Sequence, residues 1–485
     1  MIDPASAYLA LTSRDARFDG VFYVGVTSTG IYCRPVCPVK PPHAQNCRFF
    51  ASAEAAEKAH FRPCLRCRPE LAPGNAPVDR GSLIAERLMQ RIDEGLAEQV
   101  DSLEAIAAQF ELSLRQLRRI VQQQLGVSPQ ELRQTRRLLL AKQLLSETSL
   151  PITEIAFASG FSSLRRFNAA FSSQYRMPPS RLRRSLSAKP HSGQPGDSST
   201  LLLSYRPPYD WTAMLDFLRL RALAGVEYVD ADSYARTVRL GACRGWIRVT
   251  AAAKTHALNV EFSHSLTPVL PTLLRRLRNL FDLSARPDLI TDHLSQDPLL
   301  AAVVQAHPGL RVPGAFDGFE MAVRAILGQQ ITVKAATTLG GRFVGAFGEA
   351  IDTPLPQLTR LSPLAATVAG CTLDQIASLG IISARSRTIL ALAVACDTGE
   401  LQLDTGSQPD HTTALLLQLP GVGDWTAQYL AMRALRWPDA FPAGDIVVRN
   451  NLGGLTTKQA EARSQTWRPW RSYAVMHIWK SLGKG

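Results

Sequence analysis

Four of the eight cysteines in this 485-residue chain fall in two close pairs. Cys33 and Cys37 lie in "IYCRPVCP", and Cys64 and Cys67 lie in "PCLRC". Zinc takes four thiolates in a tetrahedron, and two short-spaced pairs bring four thiolates together with little loop strain. The spacing therefore predicts a Zn²⁺ site. Most such sites are structural, and spacing alone leaves open whether one thiolate also reacts.

The surroundings of this predicted zinc site are cationic. Arg34 directly follows Cys33, and further arginines lie at positions 48, 62, 66 and 68. Zinc holds its cysteines as thiolates, which are the nucleophilic form, and arginines suit a phosphate-bearing partner. The stretch "FYVGVTSTGIYCRPVCP…FRPCLRCRPE" resembles the amino-terminal domain of the Ada adaptive-response protein over residues 5–70. That resemblance implies that Cys33 accepts a methyl group from a DNA methylphosphotriester. From the cationic surroundings, we expect Arg34 to contact the DNA.

A second candidate site lies near the carboxyl terminus, in "LPGVGDWTAQYLAMRAL" at 419–435. Leu419, Gly421 and Gly423 belong to a predicted hairpin between two helices, whose glycines let backbone amides approach a DNA phosphate. Such a hairpin binds DNA without reading its sequence. Asp445 follows in "AFPAGDIVV". An isolated aspartate usually is exposed or caps a helix, so the hairpin and Asp445 alone leave catalysis open.

Two further segments distinguish these alternatives. "FEMAVRAILGQQITVKAA" at 319–336 and "WRPWRSYAVMHIW" at 467–479 flank the hairpin in this order. From about residue 201 to the end, the chain resembles the AlkA kind of alkylbase DNA glycosylase. The resemblance implies that Asp445 is the catalytic carboxylate. It also implies that Trp425, Tyr429 and Trp479 form an aromatic pocket for a flipped, cationic alkylated purine.

The same resemblance narrows the reaction. Glycosylases that also cleave the strand carry a lysine for a Schiff base at the position of Trp425, so a monofunctional hydrolase is expected. No cysteine cluster for an iron–sulfur centre follows Asp445. Gln330 occupies the position at which a relative wedges an apolar side chain into the gap left by the flipped base. Glutamine fills that gap with a poorer apolar contact.

Two predicted helix-turn-helix units, at 102–126 and 151–183, follow the cysteine region. Recognition helices present their amino-terminal residues to base edges, so Arg115, Gln116, Ser163 and Arg165 are the candidate DNA contacts. A helical bundle with a solvated charged face is the alternative. The tandem arrangement, with "IAFASGF" and "PPSRLR" in the second unit, resembles the AraC-type DNA-binding domain. The Pro-Cys-His-Arg signature of the Ada methyltransferase domain is absent from the sequence.

Length and composition set the organisation of the chain. A chain of 485 residues is too long for one core, and 46% apolar residues suit a soluble multidomain protein. We predict a multidomain α+β and all-α architecture. Its parts are a zinc domain at 1–75, an AraC-type domain at 83–186, a linker at 187–200, an α+β domain at 201–304 and a helix-hairpin-helix domain at 305–485.

The charge and the absence of apolar spans predict the partners. The net charge of +13 favours a polyanion, and double-stranded DNA suits all the motifs. We expect no membrane association and no signal peptide, a cytoplasmic location, a monomer, and RNA polymerase as a further partner. The predicted function is excision of alkylated purines by an enzyme fused to a methylphosphotriester-sensing regulator. The alternative is a regulator whose glycosylase module is inactive.

Overall fold

The computed structural model describes residues 3–73, 104, 107, 112–186, 197–253 and 255–481. The cysteine-bearing region folds around a four-stranded sheet with the strand order β3-β1-β2-β4. Strand β1 pairs antiparallel with β2 and β3, whereas β2 and β4 run parallel. The elements are α1 (Pro4–Ser13), β1 (Tyr23–Val26), β2 (Ile31–Cys33), β3 (Cys47–Phe50), α2 (Ala53–Lys58) and β4 (Arg62–Pro63).

Five helices follow within residues 112–186, in the region of the predicted helix-turn-helix units. They are α3 (Leu114–Leu125), α4 (Pro129–Glu147), α5 (Ile152–Ala158), α6 (Leu164–Tyr175) and α7 (Pro179–Leu186). Helices α3 and α4 both begin with a capping box, in which a serine and a residue three positions later satisfy each other's backbone amides. Most of the predicted first helix of the first unit, before residue 112, lies outside the described residues.

In the rest of the described chain, a strand and a helix precede four consecutive strands that end at Ser263. The elements beyond Ser263 are helices. The strands are β5 (Ser198–Ser204), β6 (Glu227–Val229), β7 (Ser233–Leu240), β8 (Cys243–Ala251) and β9 (Ala257–Ser263). The helices are α8 (Trp211–Arg219), α9 (Leu270–Leu280), α10 (Pro287–Leu294), α11 (Ala301–Ala306), α12 (Gly318–Leu327), α13 (Val333–Phe347), α14 (Ala365–Ala369), α15 (Leu373–Ala377), α16 (Ser383–Asp397), α17 (Pro409–Gln418), α18 (Asp424–Arg433), α19 (Ile446–Asn451), α20 (Thr457–Arg463) and α21 (Arg471–Ser481).

The chain forms two compact units. The first comprises Met1–Pro207, Ala252–Arg275 and Leu283–Ala285, and the second comprises Pro208–Ala251, Arg276–Asp282 and Arg286–Gly485. Within the first unit, β5 pairs antiparallel with β9 from Ser198↔Ser263 to Ser204↔Ala257. Within the second unit, β7 pairs antiparallel with both β6 and β8.

The helical core of the second unit positions the predicted glycosylase residues. Ile326 of α12, Ile389 of α16 and Leu430 of α18 belong to one cluster of buried apolar side chains, and each is at most 1% exposed. Burying such side chains stabilises each by about 1.5–3 kcal/mol relative to leaving them in water. The cluster therefore fixes these three helices against one another, and with them the loops at their ends.

The predicted fold class is confirmed: the protein combines α+β and all-α parts, with a small cysteine-bearing sheet and helix-turn-helix helices. The boundaries of the four predicted domains and of the linker stay predictions. One detail differs, because the last three residues of the predicted linker, Ser198–Thr200, lie in strand β5. None of the described helices is both long and apolar enough to cross a lipid bilayer.

Candidate metal centre and candidate active site

The parallel pairing of β2 with β4 brings the two cysteine pairs together. Cys33 ends β2 and Cys64 follows β4, and the Cys64 amide donates to the Tyr32 carbonyl at 3.0 Å. The Sγ atoms of Cys33, Cys37, Cys64 and Cys67 all lie within 4.8 Å of one another. Zn–S bonds of about 2.3 Å in a tetrahedron require sulfurs about 3.8 Å apart, so this arrangement fits zinc.

The four cysteines differ in accessibility. Cys37, Cys64 and Cys67 are buried, between 5% and 7% exposed, whereas Cys33 is only half-buried. Backbone amides of Arg34 and Arg66 donate to the Sγ atoms of Cys67 and Cys64, at 3.3 Å and 3.4 Å. Such donors stabilise negative charge on the sulfurs to which they point. Cys33 is thus the least buried residue of the four.

Arg34 does not lie on the surface where we expected it. Its side chain is buried, forms an ion pair with Asp19, and donates from Nη1 to the Cys67 carbonyl at 3.0 Å. A buried guanidinium needs such a partner, because an unpaired charge is costly away from water. Arg34 therefore braces the Cys67 end of the cluster, and its predicted contact with DNA stays a prediction.

Helix α4 holds the cysteine-bearing sheet through buried polar contacts. Lys142 Nζ donates to the Cys64 carbonyl at 3.2 Å and to Glu70 Oε2 at 2.5 Å. Glu57 accepts hydrogen bonds from Tyr32 Oη at 3.0 Å and from Thr135 Oγ1 at 2.7 Å. Burial raises the pKa of Glu57 to about 7, although both hydrogen bonds oppose the shift. The metal centre and the longest helix of the DNA-binding region thus share one polar interface.

The four predicted base-contacting residues of the helix-turn-helix region have different roles. Arg115 and Arg165 are exposed in the first turns of α3 and α6, as a base contact requires. Gln116 Oε1 instead accepts from the Ser113 amide at 2.9 Å, and Ser163 Oγ accepts from the Arg166 amide at 3.2 Å. These two side chains cap their helices, which is a role that we did not predict.

The predicted hairpin connects α17 to α18 through residues 419–423. Gly421 has a φ of +80°, and a Cβ atom there would lie 2.4 Å from Thr388 Oγ1. Only glycine meets both conditions without strain. Thr388 Oγ1 also donates to the Pro420 carbonyl at 2.7 Å, so α16 supports the turn. Leu419 and Gly423 flank this turn, and the exposed Gly423 caps α18.

Asp445 is the N-cap of α19, and it is also the meeting point of two tryptophans. Its Oδ1 accepts from the Val448 amide at 2.9 Å and from Trp479 Nε1 at 3.3 Å, and its Oδ2 accepts from Trp425 Nε1 at 3.0 Å. Asp445 therefore does cap a helix, which was the alternative to a catalytic role. Capping needs only the backbone donor, so the two indole donors indicate a further task.

The three predicted pocket aromatics lie together around this carboxylate. The rings of Trp425 and Tyr429 stack with centroids 5.2 Å apart and an interplanar angle of 8°. Trp479 lies 6.3 Å from Tyr429 at 49°. The two tryptophans present π faces while their N–H groups bind Asp445. Such faces attract a cationic base by about 0.5–2 kcal/mol.

A further layer behind Tyr429 was not predicted. Arg433 Nη1 donates to Tyr429 Oη at 2.7 Å, and its guanidinium lies 4.7 Å from the centre of the Phe217 ring. The Arg221 guanidinium also lies over this ring, 3.8 Å from its centre. Burial lowers the pKa of both arginines. No local sequence pattern indicates this layer, because Phe217 and Arg221 lie some 200 positions before Tyr429.

Gln330 lies in the loop between α12 and α13. It is exposed, and its φ of +55° is unusual for a residue other than glycine. The neighbouring Gln329 is half-buried and its side chain points to the hairpin, where Nε2 donates to the Gly421 carbonyl at 3.0 Å. The structure thus places the predicted wedge and the predicted phosphate-binding turn side by side.

Three known protein families match separate segments of the chain. Residues 6–70 match the metal binding domain of Ada, residues 106–185 match a helix-turn-helix domain, and residues 200–317 match the AlkA N-terminal domain. A solved 3-methyladenine DNA-glycosylase from Archaeoglobus fulgidus superposes with a TM-score of 0.51 at 17% identity. It covers 58% of this chain and 99% of its own length. That likeness concerns the fold.

Two curated proteins are similar in sequence. The probable bifunctional transcriptional activator/DNA repair enzyme AlkA of Mycobacterium tuberculosis is 39% identical over 98% of this chain and 96% of its own length. DNA-3-methyladenine glycosylase 2 of Escherichia coli is 35% identical over 58% of this chain and 97% of its own length. Together the fold and the sites define a DNA-repair glycosylase fused to a zinc-containing, helix-turn-helix regulator. The chain belongs to the family of bifunctional transcriptional activator/DNA repair enzymes AlkA, and Zn²⁺ is the cofactor of its four-cysteine centre.

Proposed function

We propose that this protein hydrolyses the N-glycosidic bond of alkylated purines in double-stranded DNA, with Asp445 as the catalytic residue. The observation that carries the proposal is the Asp445 carboxylate, aimed by two indole N–H groups beside the stacked Trp425 and Tyr429. The name of the E. coli relative, a DNA-3-methyladenine glycosylase, supports this class of substrate.

The chemistry follows from the charge of the substrate. A purine alkylated at N3 or N7 is cationic and leaves as a neutral base, so its departure needs little acid catalysis. Positive charge then develops on the sugar, and a fixed carboxylate near C1′ stabilises it electrostatically. Asp445 also orients or deprotonates the attacking water, whose oxygen forms the new bond to C1′ as the bond to the base nitrogen breaks. The proton released from water passes to the carboxylate or to solvent.

The pocket supplies selectivity for electron-poor bases. Trp425, Tyr429 and Trp479 offer aromatic faces, and a desolvated cation is attracted to them more strongly than a neutral purine. Only a base that has left the stack can enter the pocket, and flipping costs the least free energy for a damaged, poorly paired base. We therefore expect 3-methyladenine and related cationic bases as substrates.

Two neighbouring elements of the second unit hold the DNA in this proposal. The amides of the turn at Leu419, Gly421 and Gly423 bind the backbone without reading sequence. Gln330 fills the gap left by the flipped nucleotide and hydrogen-bonds the orphaned partner base. Its exposed position beside the turn supports this role.

The first unit acts as a sensor in this proposal. Zinc, when bound, holds the four cysteines as thiolates. Cys33, the least buried residue of the four, attacks the methyl carbon of a methylphosphotriester. A carbon–sulfur bond forms, the carbon–oxygen bond breaks, and the phosphate regains a negative charge. Methylation removes one negative charge from the cluster, which favours contact with DNA phosphates.

The helix-turn-helix region then binds promoter DNA in this proposal. Arg115 and Arg165 contact base edges, with guanine as the favoured partner. Their exposure in the first turns of α3 and α6 supports this role. RNA polymerase is the expected partner of the activator, and a monomer is the expected state.

The test of the glycosylase function is release of free methylated purines from duplex DNA treated with dimethyl sulfate, followed by chromatography. Wild type should release them, and Asp445→Asn should not, although it still binds DNA. Asp410→Asn is a matched control, because Asp410 is also an aspartate in the first turn of a helix, in α17, and is exposed. Absence of release by folded wild type would favour the alternative, a regulator with an inactive glycosylase module.

A further inference from the structure

The loop that carries Gln330 is tied to the phosphate-binding turn by a closed set of hydrogen bonds. Gln329 Nε2 donates to the Gly421 carbonyl at 3.0 Å and to Thr426 Oγ1 at 3.1 Å. One side-chain amide thus contacts both the turn and the first half of α18. Both of its donors are used, so its orientation is fixed.

Helix α16 contacts both the loop of Gln329 and the turn. Arg385 Nη2 donates to the Gln329 carbonyl, and Thr388, three residues later on the same helix face, donates to the Pro420 carbonyl at 2.7 Å. One helix therefore holds the loop with one side chain and the turn with another. Thr388 is 2% exposed, so this support is part of the core.

The backbone at Gln330 explains why such support is needed. Its φ of +55° lies in the left-handed region, which a residue with a side chain occupies only when its surroundings hold it there. Gln330 itself is exposed, whereas the preceding Gln329 is anchored on both its side chain and its carbonyl. The anchor precedes the strained residue directly and so determines where the Gln330 side chain projects.

We propose that Gln329, held by Arg385, is a positioning residue that fixes the wedge at Gln330 relative to the turn that grips the DNA backbone. This inference rests on the proposed glycosylase function and deepens it. Flipping needs a wedge at a set distance from the gripped phosphate, and a misplacement of about 1 Å costs roughly 100-fold in rate. Gln329 touches neither the base nor the sugar in this account.

The test compares two duplexes, each with one 7-methylguanine, placed opposite cytosine or opposite an abasic site. Opposite an abasic site there is no pair to break, so a wedge matters less. Gln329→Ala and Gln329→Glu should lower kcat/KM on the paired duplex roughly 10- to 100-fold, and on the abasic duplex less than about threefold. The glutamate keeps the shape but cannot donate to the Gly421 carbonyl. Gln357→Ala, a change at an exposed glutamine in the loop between α13 and α14, should match wild type.

Non-additivity provides a second readout. If Gln329 acts through the wedge, Gln329→Ala combined with Gln330→Ala should be no worse than Gln330→Ala alone. Equal loss on both duplexes, or additive losses in the double variant, would overturn the positioning role, because a merely structural residue would give that result. Unchanged activity of Gln329→Ala on the paired duplex would also overturn it.

A fluorescence measurement separates this inference from the proposed function. A 2-aminopurine beside the lesion brightens when the stack opens, whether or not the base is released. Wild type and Asp445→Asn should brighten it, and Gln329→Ala should not, at saturating protein. Brightening without release by wild type would refute hydrolysis and leave the positioning role standing. Equal brightening by wild type and Gln329→Ala would refute the positioning role, and no brightening by folded wild type would refute both.

Discussion

The indole N–H of Trp425 gives the sharpest test of how Asp445 works. Trp425→Phe removes the 3.0 Å hydrogen bond to Oδ2 but keeps an aromatic ring against Tyr429. Two donors to the carboxylate remain, from Trp479 and from the Val448 amide. Hydrogen bonds to charged groups contribute about 1.5–3 kcal/mol. A loss of about 2 kcal/mol corresponds to roughly a 30-fold fall in kcat.

The assay is single-turnover release of 7-methylguanine from a defined duplex, with the KM measured separately. Because the ring face remains, we expect KM to change less than about threefold, so the loss falls on kcat. Trp425→Phe should have little further effect once the carboxylate has been replaced in Asp445→Asn, since both changes act on one interaction. A full additional 30-fold loss in the double variant would refute an action of Trp425 through the carboxylate. It would show that Trp425 acts on the base alone.

Three other predictions concern the sensor and two buried titratable groups. Cys33→Ala should abolish transfer of a labelled methyl group from methylated DNA and methyl-dependent activation, while base release stays within about twofold of wild type; activation that persists would refute the sensor role. Burial lowers the pKa of His477 to about 4, and its Nδ1 atom lacks a partner among the described residues. The stabilisation from neutral His477 is therefore present above pH 6.5 and is lost as the pH falls towards 4, by about 3 kcal/mol at most. His477→Gln should reduce the pH dependence of the free energy of unfolding in urea over that range, and an unchanged dependence would contradict this. Burial raises the pKa of Glu57 from 4.5 to about 7, so the stabilisation from protonated Glu57 is present below pH 4.5 and is lost as the pH rises through 7. Glu57→Gln should therefore become more stable relative to wild type as the pH rises from 5 to 8. A constant difference in the free energy of unfolding between the two proteins would contradict the raised pKa.

The motifs predicted what depends on local spacing. The two cysteine pairs form one cluster, as their spacing predicted. Trp425, Tyr429, Trp479 and Asp445 lie together, as the resemblance to the AlkA kind of glycosylase implied. Their roles in catalysis remain proposals.

What the motifs could not predict depends on contacts between distant residues. Arg34 was expected at the surface from its charge, but its burial depends on Asp19, which only the folded sheet brings near. Gln116 and Ser163 suited both base contact and helix capping, and the choice depends on where each helix begins. The contacts of Gln329 with Gly421 join segments about 90 positions apart, and no local pattern carries that information.

Strand β5 has a consequence for any attempt to divide the protein. Leu202 donates its amide to Glu147 of α4 and accepts at its carbonyl from Gln143, both at 2.9 Å, so this strand belongs with the helix that braces the metal centre. A family boundary at residue 200 nevertheless assigns the strand to the glycosylase half. The boundary of the matched family domain, at residue 200, therefore differs from the boundary of the first folded unit, whose first segment extends to Pro207. A glycosylase fragment that starts at residue 200 would remove most of β5 from the first unit. Each half is therefore best inactivated by point substitution within the intact chain.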